Sequence, residues 1–207
     1  MKKILLLALL VSGCTSPEKK LPILGEPGVT ARQENGKTAY DTIYPVIPPF
    51  SFTDQDGLAV NEQSFAGKIY VADFIFLSCP NICPKMTVEM KKVYSTFKAN
   101  DGILFLSHTI DPEDDSIPRL KAYAAGLEVA GPKWRFVTGN QDTIYHLAEK
   151  GYFSTAYKDS TAPGGYVHSG GLLLVDKARH IRGVYNGTDP QETNRLINDI
   201  NILLKEN

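Results

Sequence analysis

The chain has 207 residues, 22 of them Lys or Arg and 23 Asp or Glu, for a formal net charge of −1. That length suits one domain, with or without a tail, and 43% apolar residues suffice for a buried core. The near-neutral balance lacks the basic surplus of a nucleic-acid binder, and no apolar run approaches the ~20 residues of a membrane-spanning helix.

Met1-Lys2-Lys3 is positively charged, residues 4–11 are apolar, and the small pair Ser12-Gly13 leads to Cys14. Residues 1–13 therefore read as a secretory signal, too short for a membrane span. The segment Leu10-Val11-Ser12-Gly13-Cys14 resembles a bacterial lipobox, which implies cleavage before Cys14 and a diacylglycerol thioether on its sulfur. Acyl chains contribute about 0.8 kcal/mol per buried CH₂, so two or more anchor a protein durably. The expected location is the cell envelope, on a bacterial membrane and facing the periplasm. Residues 14–49 mix prolines, glycines and charges and read as a lipid-anchored spacer, with a strand around residues 42–47.

The body is expected over residues 50–207. Phe50-Ser51-Phe52-Thr53, Asp54-Gln55-Asp56-Gly57 and Leu58-Ala59-Val60 predict a β-hairpin with Asp-Gly as its turn signal. Residues 69–77 (IYVADFIFL) predict a buried central strand, in which Asp73 must face a polar partner or a sheet edge. Over residues 84–97, Met86, Met90, Val93, Tyr94 and Phe97 share one helical face, and Pro84 suits the first turn. A strand follows at 103–110, then a helix at 116–127 with Ser116 as its cap. A short strand at 134–137 and a helix at 142–150 come next. Residues 172–175 and 181–185 form a hairpin. A last helix spans 189–205, capped by Asp189, with Pro190 first and Leu196, Ile200, Leu203 and Leu204 as its stripe. This order implies an α/β domain: a thioredoxin-like fold with an additional N-terminal β-hairpin and a mixed central sheet flanked by helices.

With Cys14 assigned to lipid, Cys79 and Cys83 remain. A bridge between them would close a very small loop and constrain the unfolded chain little, which favours redox or metal chemistry over a structural staple. Both lie between a buried strand and a helix N-terminus, where amides and the helix dipole depress a thiol pKa. Pro80 and Pro84 bias the residues before them toward extended backbone, so both sulfurs are expected in the loop entering the helix. Thiolates are soft ligands suited to Cu(I), and imidazole suits copper in either oxidation state. Four histidines could add a nitrogen. His108, His146 and His180 read as structural or surface residues. His168 sits in the glycine-rich stretch Gly164-Gly165-Tyr166-Val167-His168-Ser169-Gly170-Gly171, just before a strand, where a thioredoxin-like fold faces its dithiol.

At these residues the sequence resembles the Sco/SenC family of copper-handling proteins. The stretch Phe74 to Met86 (FIFLSCPNICPKM) resembles its C-x-x-x-C-P signature, Asp111-Pro112-Glu113-Asp114-Asp115 its D-P-x-x-D segment, and residues 52–57 its opening hairpin. The resemblance implies Cu(I) or Cu(II) bound by Cys79, Cys83 and His168, and a role in building the dinuclear copper centre of cytochrome c oxidase, whose copper-centre subunit is the implied partner. The family often has an aspartate before the ligand histidine, where this chain has Val167. Asp111 and Asp115 are candidates for support of the site or for partner contact, against a plain turn-and-cap role. Two functions share the cysteines: a copper metallochaperone, and a thiol–disulfide reductase or envelope redox sensor. A thioredoxin-fold peroxidase and a lipoprotein with a structural disulfide are the alternatives. His168 separates the first two, because metal binding needs the imidazole whereas thiol exchange needs mainly an accessible thiolate.

Overall fold

A computed structural model describes residues 20–206, so the signal segment and Cys14 lie outside the described residues. The order of elements is β1 (Gly28–Glu34), β2 (Lys37–Ile43), β3 (Ser51–Asp54), β4 (Ala59–Asn61), β5 (Ile69–Ile75), α1 (Ile82–Phe97), β6 (Ile103–Thr109), α2 (Ile117–Gly126), β7 (Trp134–Thr138), α3 (Gln141–His146), β8 (Ala156–Lys158), β9 (Tyr166–His168), β10 (Gly171–Val175), β11 (Ile181–Asn186) and α4 (Pro190–Leu203). No described helix is long and apolar enough to cross a membrane.

Seven strands form one sheet in the order β11-β10-β5-β6-β7-β3-β4. β5, β6 and β7 are parallel, and the outer pairings are antiparallel. The sheet is mixed, as the alternation of strands and helices predicts. β5 is buried at every residue because it has neighbours on both sides and cover on both faces. α1 buries Met86, Met90, Val93, Tyr94 and Phe97, the face expected from their spacing, and packs beside α4. In α4 the Asp189 carboxylate accepts the Gln191 N–H at 2.8 Å, and Pro190 occupies the first turn. Ser116 stands at the start of α2, but its side chain makes no capping bond. The Asp54 carboxylate accepts N–H bonds from Asp56 and Leu58 and so shapes the β3–β4 turn.

The two faces of the strand pair β5–β6 differ. His108 stacks on Phe74 at 4.9 Å, with Phe50, Phe52 and Tyr152 around it, and neither ring nitrogen has a partner. Burial in this apolar cage pushes its pKa down to about 3. His108 is thus a core residue. Asp73 pairs in register with Ser107 on an interior strand, not at a sheet edge. One of its carboxylate oxygens has no partner, and burial raises its pKa to about 7.

The segment expected to be a spacer is structured. β1 and β2 form a hairpin in place of the strand expected at 42–47. Before it, Leu21 is buried and the Leu24 N–H donates to the Ile181 carbonyl at 2.8 Å. After it, Ile47 is buried and donates to the Arg179 carbonyl at 2.9 Å. The body therefore starts near Leu21 rather than Phe50. Proline and glycine content marks turns, but it does not reveal that the chain between them bonds to an edge strand.

Candidate metal centre

β5 carries the chain to the rim of the sheet, and residues 76–81 turn it into α1. The Cys79 N–H donates to the Phe76 carbonyl at 3.2 Å, closing that turn. α1 starts at Ile82, so Cys83 lies in its first turn and only Cys79 lies in the loop. This corrects the expectation that both sulfurs precede the helix. First-turn amides lack intrahelical acceptors, so Pro84 costs no hydrogen bond there and the helix starts earlier. One of those amides, Cys83 N–H, points at the Cys79 sulfur at 3.5 Å.

Cys79 and Cys83 are free thiols and both are buried. Burial pushes the Cys83 thiol up, and the neighbouring Cys79 and Asp73 charges add to that. At Cys83, desolvation thus outweighs the depression expected from the helix dipole.

The imidazole comes from the small antiparallel pair β8–β9, where His168 ends β9 opposite Ala156. Its Nε2 lies 3.1 Å from the Cys83 sulfur, and its Nδ1 lies 3.0 Å from the Ser169 carbonyl. A carbonyl only accepts, so Nδ1 carries the proton and Nε2 turns its lone pair toward the thiols. Burial lowers the His168 pKa and keeps the ring neutral, the form a metal needs. The Cys79, Cys83 and His168 donor atoms all lie within 4.8 Å of one another. Two bonds of roughly 2.0–2.3 Å span about that distance, so one ion fits between them. Two sulfurs and one unprotonated nitrogen form a soft donor set matched to copper.

The D-P-x-x-D segment braces both halves of this group. The Asp115 carboxylate accepts the Leu77 N–H at 3.1 Å, two residues before Cys79, and the Thr109 hydroxyl at 2.5 Å. The Asp111 carboxylate accepts the Tyr166 hydroxyl at 2.7 Å, two residues before His168. Both acids are buried, so the turn-and-cap reading does not describe them fully. Tyr166 is the functional residue that sequence reasoning passed over. It also packs on Phe76 at 5.2 Å, and Phe76 meets the His168 ring edge-on at 5.8 Å. Gly164 has φ +80°, and a Cβ there would come within 2.8 Å of Phe76, so glycine is required where this loop crosses the ring. Val167 brings no acid to the imidazole, and the Ser169 carbonyl holds Nδ1 in its place.

His146 is exposed on α3, and His180 faces Asp176 in the β10–β11 turn; neither joins the thiols. A cleft of about 190 Å³ opens beside the centre between Phe76, Cys79, Ile82, Pro163, Tyr166 and His168. A larger cleft of about 530 Å³ lies behind it, along Leu24, Phe153, Ser154, Ser169 and Val184, and neither cysteine lines it.

Comparison with known proteins gives consistent relatives. The SCO1/SenC family model matches residues 39–205. The SCO1 protein homolog of Bacillus subtilis (strain 168) is 32% identical over 167 residues, covering 80% of this chain and 86% of that protein. BsSco, a member of the Sco family of cytochrome c oxidase assembly proteins in which a disulfide switch is identified, is 30% identical. Its solved structure aligns with a TM-score of 0.69 over 79% of this chain and 95% of that one. Bradyrhizobium japonicum ScoI, solved with copper bound, is 25% identical, with a TM-score of 0.62 over 74% of this chain and 98% of that one.

Proposed function

The chain belongs to the SCO1/SenC family, and from that premise we propose that it is a copper metallochaperone for cytochrome c oxidase. It binds copper and assists assembly of the oxidase's dinuclear copper centre, with the copper-centre subunit as its recipient. Cys79 and Cys83 supply two sulfurs and His168 the nitrogen. The observation that carries this reading is the meeting of those three donors, with His168 Nε2 already unprotonated and aimed at the thiols. Copper is cargo here, and transfer proceeds by exchange of these ligands for those of the recipient.

A competitive copper titration of the reduced, anaerobic protein tests it. The expected result is one copper per chain, lost in Cys79→Ser and Cys83→Ser and weakened in His168→Ala. Unchanged binding in His168→Ala would favour a second reading, thiol–disulfide reduction of the recipient's copper-ligand cysteines. The approach of Cys83 N–H to the Cys79 sulfur, which brings the two cysteines together, supports that chemistry.

The lipobox-like segment ending at Cys14 supports a lipid anchor after removal of residues 1–13, with the body in the cell envelope and facing the periplasm. Cys14→Ala should release the protein into the soluble envelope fraction. Retention in the membrane fraction would overturn the anchor.

A further inference from the structure

The metal centre sits at one end of the central sheet, and a different surface occupies the other. β5, β6 and β7 run parallel toward the centre, so the segments leading into them share the opposite pole. That pole collects Lys68, Lys98, Lys133, Lys177, Arg179 and Lys205. Lys177 and Arg179 belong to the β10–β11 turn, which arrives at the same end because Val175 and Ile181 align with Tyr70 near the start of β5. Lys177 shares one cleft with Arg182 and Glu206 and another with Gly67 and Arg179. Glu62 and Asp101 stand against these cations. The two other acids there, Asp176 and Glu206, are taken up by Arg182 at 2.9 and 2.7 Å. With Arg182 included, the pole therefore carries seven cationic side chains against four acids, in a chain whose formal net charge is −1.

The N-terminal segment is clamped at this same pole. The Arg182 guanidinium donates to the carbonyls of Leu21 and Pro22, and the Leu21 N–H donates to Glu206 at 2.9 Å. Residues 1–19 thus join the body beside the cations. From Cys14 to Leu21 the chain extends at most about 25 Å.

We propose that this basic pole lies against an anionic lipid surface and holds the metal centre facing away from the membrane. The inference takes the lipid anchor proposed above as its starting point. Attachment and charge then act at one end of the molecule. The seven residues of β5 alone set the centre about 20 Å further out. Basic residues near an anionic bilayer contribute about 1 kcal/mol each, so a short tether plus several lysines fixes orientation as well as attachment.

The test uses the lipidated chain in phosphatidylcholine vesicles and in vesicles that also contain phosphatidylglycerol. An amine-reactive reagent followed by mass spectrometry reads lysine exposure. In anionic vesicles Lys68, Lys177 and Lys205 should label several-fold less than in neutral ones, while Lys85 and Lys158, near the metal centre, stay unchanged. High salt should erase the difference. Each neutralisation, Lys177→Gln or Lys205→Gln, should weaken the protection about fivefold, the factor equivalent to about 1 kcal/mol. Labelling of Lys68, Lys177 and Lys205 that is the same in anionic and neutral vesicles would overturn the proposal. Failure of the anchor reads out separately, as a chain that does not float with neutral vesicles.

Discussion

The three donors arrive on two arms of unlike construction. The cysteine arm continues the buried central strand into a 16-residue helix, and both of its thiols are buried. The histidine arm is a three-residue strand outside the main sheet, paired only with β8. The first arm is fixed by the core itself. The second is fixed by packing of Tyr166 and His168 on Phe76 and by a few side-chain hydrogen bonds: Tyr166 to Asp111, His168 to Ser169, and the Ser154 and Ser169 hydroxyls at 2.5 Å from each other. A site that must take a metal and give it up gains from that asymmetry. The sulfurs hold, and the imidazole is the donor whose support is easiest to loosen. Ligand exchange with a recipient should therefore begin at His168.

Four experiments sharpen or break this contrast. The largest effect belongs to the cysteine arm: Cys79→Ser and Cys83→Ser should abolish copper retention against a competitor. Retention by either variant would place the metal elsewhere. His168→Ala comes next, with a loss at or beyond the roughly 10–100-fold typical of supporting residues, carried by faster release and not by slower capture. A loss carried by slower capture with release unchanged would show that the arm does not open first.

Tyr166→Phe and Asp111→Ala should each weaken copper binding by roughly 10-fold and change the Cu(II) spectrum without removing a ligand. The double variant should be no worse than either single one, because one bond is being broken twice. Additive losses would mean the residues act separately.

The smallest effect on copper should come from Asp73→Asn, under the cysteine arm, and its readout is stability. The native pKa of about 7 exceeds the ordinary carboxylate value of 3.8, so the folded state keeps a proton that the unfolded state releases. Wild-type stability contributed by this group is full below pH ~4 and declines as pH rises toward 7. The variant should therefore gain on the wild type between pH 4 and pH 8, by an amount on the order of a few kcal/mol. Denaturant midpoints at the two pH values measure it. A constant difference would show that Asp73 is ionised in the native protein. His108 runs the other way: its pKa of about 3 makes the fold lose stability as pH falls below ~6.5.

Much of this was legible in the chain. The IYVADFI run, the one-faced apolar spacing of α1 and the Asp189-Pro190 start of α4 each express a local rule, and each element formed there, α1 starting two residues before Pro84. Cys79, Cys83 and His168 stood out because soft donors are few and the glycines around His168 mark a close approach. Three things were not legible. Tyr166 is an ordinary aromatic until its hydroxyl meets a buried carboxylate 55 positions away. The β1–β2 hairpin is exposed on nearly all residues, so it carries no alternation of apolar and polar positions to read. The helical placement of Cys83 turned on a competition between two proline rules that point in opposite directions.

The amino-acid sequence by itself determined the central strands and the long helices and which side chains have the chemistry for copper, because periodicity, capping and donor softness are properties of short stretches. Only the tertiary structure decided that Nε2 of His168 meets the thiols, that Asp111 and Asp115 brace the two arms, and that the lysines gather at the far pole. Those facts depend on which distant segments share an end of the sheet. Strand direction and order set that, and they emerge only when the whole core packs.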